Sequence, residues 1–139
     1  MEIRGLMIGD WVLYKDEPIT VFEIDEYYDR INTEPDGYNA IRCIEASEIK
    51  PIPLTPEILE KNGFIGGEYK SYTGYVWYLE EKGFSKIWFI MSCEKSILCG
   101  EKIKTNGSIG DNFSIPNIKF VHELQHALRI CGIDKEIQI

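Results

Sequence analysis

Only two histidines occur in these 139 residues. Chemistry that needs imidazole is therefore confined to wherever those two fall. The four cysteines form no C-x-x-C pair, so neither a zinc ribbon nor a thioredoxin-like redox motif is present. No run approaches the roughly 20 apolar residues that a bilayer-crossing helix needs. No phosphate loop, nucleophile elbow or paired-carboxylate signature is found. Positive charge is scarce at the start: residues 1–50 hold 5 Lys/Arg against 12 Asp/Glu, within a net charge of −8 for the chain. That segment should repel nucleic acid and anionic membrane. Met1-Glu2-Ile3-Arg4 leads into no apolar stretch of signal-peptide length. The expected setting is a cytoplasm with reduced thiols.

What is present suits an ordinary folded domain. The chain is 44% hydrophobic and 27% charged, with eight Tyr, six Phe and three Trp. This aromatic share favours strands or a stacking surface. Residues 1–54 read as short strands: Trp11 to Tyr14, Ile19 to Ile24, Tyr38 to Ile44 and Ile49 to Leu54. Lys15-Asp16-Glu17-Pro18 and Glu34-Pro35-Asp36-Gly37 mark turns. So many short strands in so few residues predict an SH3-like small β-barrel.

Residues 55–139 predict a second, α+β module. Thr55-Pro56 opens a linking helix that Asn62-Gly63 closes. Gly66-Gly67 reads as a break. Tyr75 to Leu79 and Lys86 to Ser92 predict a hairpin turning at Gly83. Ser96 to Cys99 and Lys102 to Thr105 continue an antiparallel meander. Asn106-Gly107 and Gly110-Asp111-Asn112 read as loops. A helix is expected from Asn117 or Ile118 to Cys131, with Val121, Leu124, Leu128 and Cys131 on its core stripe. It should pack on the sheet, with an edge strand over Lys135 to Ile139. The fold class is thus α+β, and the two modules have room to share one core.

The histidines lie in that last helix, as His122-Glu123-Leu124-Gln125-His126. This is an H-E-x-x-H run. Two imidazoles four residues apart share a helix face and can reach one zinc ion, and Glu123 is placed to act as general base. A zinc metallopeptidase with ligands His122 and His126 is therefore one reading. The run lacks its continuation, however: Arg129 and Gly132 stand where a metzincin has Gly and His. Only Asp134 and Glu136 follow as carboxylates, so a third ligand must come from upstream. Arg129 also opposes a cation one turn beyond His126. The polar stripe His122, Gln125, His126, Arg129 then reads as a solvated face, or as one presented to a polar or anionic ligand.

Three stretches carry a resemblance. Leu6 to Val12 (L-M-I-G-D-W-V), Ile52 to Phe64 (I-P-L-T-P-E-I-L-E-K-N-G-F) and Ile118 to Ile139 resemble the signatures of small uncharacterised proteins encoded by phages, prophages and mobile elements of Bacteroidales. The middle strands diverge most. In that group the last helix has the shape Y-V-H-Q-L-Q-N, with Gln and Asn where this chain has Glu123 and His126. The resemblance implies that V-H-x-L-Q is the group's pattern and that the zinc-like run is incidental. It implies no activity.

Other constellations are weaker. Tyr27-Tyr28 with Asp29-Arg30 reads as a hairpin tip, or as a stacking and pairing site for a nucleotide-like ligand. Tyr69, Tyr72, Tyr75, Trp77 and Tyr78 alternate across strands, so one face is core and the other a candidate stacking surface. Cys93 and Cys99 flank a turn. Lys82, Lys86, Lys95, Lys102 and Lys104 read as solvated edge-strand lysines. The expected role is a non-enzymatic binding or accessory protein of a mobile element, with self-association open to it. It would bind a host protein or sequester a nucleotide-like signal against host defence, with no cofactor and no membrane. The alternatives are the minimal zinc peptidase and an acidic DNA mimic or inhibitor. The first role predicts that replacing both histidines leaves the fold intact.

Overall fold

A two-residue turn sets the first hairpin. Lys15 and Asp16 both adopt left-handed φ values, 51° and 65°, the geometry whose twist matches that of paired strands. They join β1 (Trp11–Tyr14) to β2 (Glu17–Asp25). The computed structural model describes residues 1–33, 43–70, 74–92 and 95–139. The turn expected at Glu34 to Gly37, most of the strand expected at Tyr38 to Ile44, and Tyr72 and Cys93 lie outside the described residues. Within them the class is α+β, mostly sheet, with two five-stranded antiparallel sheets and two α-helices. No helix among the described residues is long and apolar enough to cross a membrane.

The chain divides into two compact units, residues 1–53 with 120–122 and residues 54–119 with 123–139. In the first, β3 (Arg30–Thr33), β4 (Cys43–Glu45) and β5 (Ile49–Pro51) complete a sheet of order β4-β3-β2-β1-β5. β2 pairs with β1 through Glu17 to Thr20 and with β3 through Val21 to Asp25. A bulge between Val21 and Glu23 bends it from one partner to the next. A 3₁₀ turn, Ala46–Glu48, separates β4 from β5. The inward residues Val12, Val21, Ile31, Ile44, Ala46 and Ile49 form one core with Ile3 and Leu6. Asp10 is fully buried in the turn before β1, and its carboxylate accepts from the Met7 amide at 2.7 Å. The turn at Ile8-Gly9-Asp10 is thus locked by a side chain, with Gly9 at φ 88°.

The second unit begins with α1 (Pro56–Lys61). Thr55 caps it through the Ile58 amide at 3.4 Å, and Pro56 sits in the first turn. The amide of Glu57 and the Thr55 hydroxyl hold the Glu57 carboxyl below its usual range. The strands β6 (Ile65–Lys70), β7 (Gly74–Leu79), β8 (Phe84–Met91), β9 (Ser96–Ile103) and β10 (Ile109–Pro116) follow as a meander in chain order. Buried Trp77, Leu79, Ile87, Phe89 and Leu98 line its core face, and Leu59, Phe64, Leu124, Leu128, Ile133 and Ile137 are buried in the same unit. The last helix, α2, spans Val121–Ile130.

Several sequence expectations need correction. Gly66-Gly67 does not break the chain but lies within β6 as a bulge opposite Trp77 and Val76. Without a Cβ, Gly67 lets the Trp77 indole approach to a distance that a side chain would forbid, 2.9 Å from a virtual Cβ to Nε1. Ser96 to Cys99 and Lys102-Ile103 belong to the single strand β9, which ends before Lys104 and Thr105, and Gly110-Asp111-Asn112 lies in β10 rather than in a loop. Helix α2 starts four residues after Asn117, because Asn117 takes a left-handed φ of 64° that no helix continues. Residues 135–139 form no strand; side chains of α1 hold that tail instead.

Candidate functional site

The H-E-x-x-H run lies in the first two turns of α2, and its two histidines and its glutamate do different things. His122 is buried, only 7% exposed, and its ring stacks on Phe120 with centroids 5.9 Å apart and planes 5° from parallel. Phe120 itself bridges Pro53, and the Val121 amide donates to the Ile52 carbonyl at 2.9 Å. Glu123 turns back toward the helix start, where its carboxylate accepts from the Lys119 amide at 2.7 Å. A Glu at the third helical position satisfying an upstream amide is a capping device, and the positive end of the helix favours the charge there. His126 is half-buried and Arg129 exposed.

The solvated stripe expected on α2 is therefore not there as a unit. Gln125, at 2% exposure, is buried like His122. Seven positions from Val121 to Cys131 are buried, on more than one side of the helix. Alternation cannot reveal this: a helix covered on two sides needs small or hydrogen-bonding polar residues where apolar ones do not fit, and His and Gln serve. The expectation that replacing both histidines leaves the fold intact is revised accordingly. His122→Ala should cost about 1–3 kcal/mol through lost packing. His126→Ala should cost less than about 1 kcal/mol. Urea unfolding of the two single variants measures the difference.

The residues present do not fit a zinc centre. Among the described residues no three His, Cys, Asp or Glu side chains converge, whereas a catalytic zinc needs three protein ligands. The carboxylate that would serve as base already accepts a backbone hydrogen bond. Cys131 is buried, and burial pushes its thiol up while nearby Lys102 pulls it the other way. Cys99 lies 3.9 Å from the Ser114 hydroxyl, and Cys43 is exposed.

The Tyr27-Tyr28-Arg30 group does come together. It is the tip of the β2–β3 hairpin, where Asp29 takes a φ of 52°. Asp25 organises it. One of its carboxylate oxygens accepts from the Tyr28 amide at 3.2 Å and the other meets the Arg30 guanidinium at 3.5 Å. The guanidinium in turn lies over the Tyr28 ring, 4.4 Å from its centroid. Tyr27 meets Tyr28 edge to face at 4.7 Å. Both rings stand in solvent, at 86% and 59% exposure. Phe22, further along β2, is also exposed. Among the described residues 22–33 and 43–48 the balance is acidic: Glu23, Asp25, Glu26, Asp29, Glu45 and Glu48 against one cation, Arg30.

The tyrosines of the second sheet divide by face. Tyr75 and Trp77 share one face, with rings 6.1 Å apart, and Tyr69 pairs with Tyr75 across the strands. Trp77 is buried on that face, while Tyr78 points to the other and is exposed. Comparison with family models, with curated proteins and with solved structures finds no match.

Proposed function

We propose that the chain is a non-enzymatic protein-binding module and that the β2–β3 hairpin tip is its contact. The observation that carries this reading is the pair Tyr27 and Tyr28, solvent-exposed yet braced from below by Asp25 and Arg30. Rigid aromatic rings lose little entropy on binding and supply much of the energy of protein contacts. The surrounding carboxylates favour a basic partner surface and disfavour a nucleotide, whose phosphates would meet six negative charges at the tip. The same acidity supports an inhibitor that competes for a basic surface. The resemblance to proteins of phages and mobile elements supports reading the partner as a protein of a bacterial host's cytoplasm.

The strand order β4-β3-β2-β1-β5, a long bent β2 shared by two partners and a 3₁₀ turn before β5 support reading the first unit as an SH3-like small barrel. Small barrels commonly present ligands at their connecting loops.

The test is capture of host proteins by the full chain and by a Tyr27→Ala/Tyr28→Ala variant, alongside calorimetry with mono- and dinucleotides. A basic partner, held at least tenfold more weakly by the variant and associating more slowly as salt rises, is the expected result. Saturable nucleotide binding that the same variant abolishes would replace the partner class. Capture indifferent to the variant would remove the tip from the function.

A further inference from the structure

We propose that the second unit carries a binding site for a small organic oxyanion, a phosphate or carboxylate borne on a short apolar group. The site is a cavity of about 310 Å³ lined by Leu54, Met91, Ser92, Lys95, Ser96, Asn117, Ile118 and Lys119. Its size falls at the small end of ligand pockets. It is separate from the hairpin tip, and all its residues belong to one unit.

The cavity is amphipathic in a way that specifies a ligand. Leu54 and Ile118 are buried and Met91 half-buried, which gives an apolar floor. Two lysines, Lys95 and Lys119, line the cavity, and no carboxylate is among its described lining residues. Neither ammonium enters an ion pair among the described residues. In a chain of net charge −8, two lysines at one cavity with no ion pair to a described residue favour an anion there. Like charges brought together cost free energy unless an anion joins them. The Asn117 amide and the Ser96 hydroxyl add uncharged donors at the same rim, and neither side chain is used within the described structure. The Ser92 hydroxyl, by contrast, is spent on Lys95, accepting from its amide at 3.0 Å and donating to its carbonyl at 3.1 Å.

The rim is also rigid. The Ser92 amide donates to the Lys95 carbonyl at 2.8 Å, the Ile118 amide to Ser96 at 3.3 Å and the Leu54 amide to Lys119 at 2.9 Å. These bonds tie the end of β8, the start of β9 and the segment before α2 around the cavity. Asn117 holds a left-handed φ of 64° within that frame, a conformation that most side chains pay to adopt. The backbone that carries the donors is thus held before a ligand arrives, which lowers the entropy lost on binding.

The probes are phenyl phosphate, benzoate and inorganic phosphate, titrated into the full chain at low ionic strength and followed by amide NMR shifts. The expected result is saturable shifts at Ser96 and at residues 117–119 with either aromatic anion. Binding should weaken at least tenfold in Lys95→Ala/Lys119→Ala and recover in part in Lys95→Arg/Lys119→Arg. Preference between phenyl phosphate and benzoate identifies which oxyanion is the ligand. Saturation by inorganic phosphate as tight as by phenyl phosphate would remove the apolar arm and so overturn the ligand class. Absence of saturable shifts, or equal binding by the alanine variant, would overturn the site. Both lysines are exposed, so the variants are expected to fold, and their unfolding midpoints check this.

Discussion

Replacing Gly100 by valine is expected to cost the second unit about 3 kcal/mol, the upper end for overpacking a filled core. Gly100 lies in β9, opposite Ile87 on β8 and Phe113 on β10. A Cβ built there falls inside van der Waals contact with the Phe113 ring and 2.9 Å from the Lys86 carbonyl oxygen. The ring cannot simply swing aside, because Phe84 meets it edge-on at 6.1 Å. The carbonyl is worse, since it belongs to the neighbouring strand of the same sheet. Gly100→Ala should therefore already cost about 1–3 kcal/mol. Urea unfolding measures both. A Phe113→Leu background separates the causes: if the ring is the obstacle, Gly100→Ala costs less there than in the parent, and the difference is the coupling. An alanine variant as stable as the parent would mean that Phe113 does not cover the glycine.

Asn62→Ala is expected to cost about 3 kcal/mol and to free the end of the chain. Asn62 ends α1 and is buried. Its side-chain NH₂ donates to the Ile58 and Gln138 carbonyls, both at 2.7 Å, and its side-chain oxygen accepts from the Gln138 amide at 2.8 Å. One amide group thus imitates a strand partner for Gln138. Lys61 adds a bond to the Ile139 carbonyl at 2.5 Å. Three bonds at about 1 kcal/mol each set the estimate, and buried groups left without partners push it higher. Ile133 and Ile137, buried in this tail, lose the anchor that keeps them in place. Hydrogen exchange at the Gln138 amide should rise from protected to fast, while β8 and β9 stay protected. Asn62→Asp turns a carboxylate oxygen toward the Ile58 and Gln138 carbonyls at the helix C-terminus, so it should cost at least as much as alanine. Unchanged protection at Gln138 in the alanine variant would show that apolar packing alone holds the tail.

Much of the architecture could be read from local chemistry. The Thr55-Pro56 start and Asn62-Gly63 end of α1 need only neighbours in sequence, since caps and left-handed residues act within one turn. The β1–β2 and β7–β8 hairpins are equally local, each set by alternation and a short turn. The failures share a cause. Gly66-Gly67 and Gly110-Asp111-Asn112 carry turn chemistry, yet both lie in strands, because pairing with a neighbour outweighs weak local preference. The start of α2 was misplaced because a single left-handed residue, Asn117, interrupts an otherwise helical pattern.

The candidate sites follow the same division. Tyr27, Tyr28 and Arg30 could be named from sequence because they are adjacent on one hairpin. The H-E-x-x-H run could be named as well, but not interpreted: spacing places His122 and His126 on one face and says nothing of which is covered. The cavity of Lys95, Asn117 and Lys119 left no signal, since its parts come from segments more than 20 residues apart and its lysines resemble any solvated ones.

The sequence by itself determined the class of fold, the first helix and its caps, the tight hairpins, the acidity of the first 50 residues and the limits on imidazole chemistry. These depend on composition and on interactions reaching a few residues along the chain. Only the tertiary structure decided that Glu123 caps a helix, that His122 and Gln125 are buried, that Asn62 clasps the tail and which charges surround each surface. Those depend on what the chain brings back from far away, and burial is set by that return and not by the residue's own chemistry.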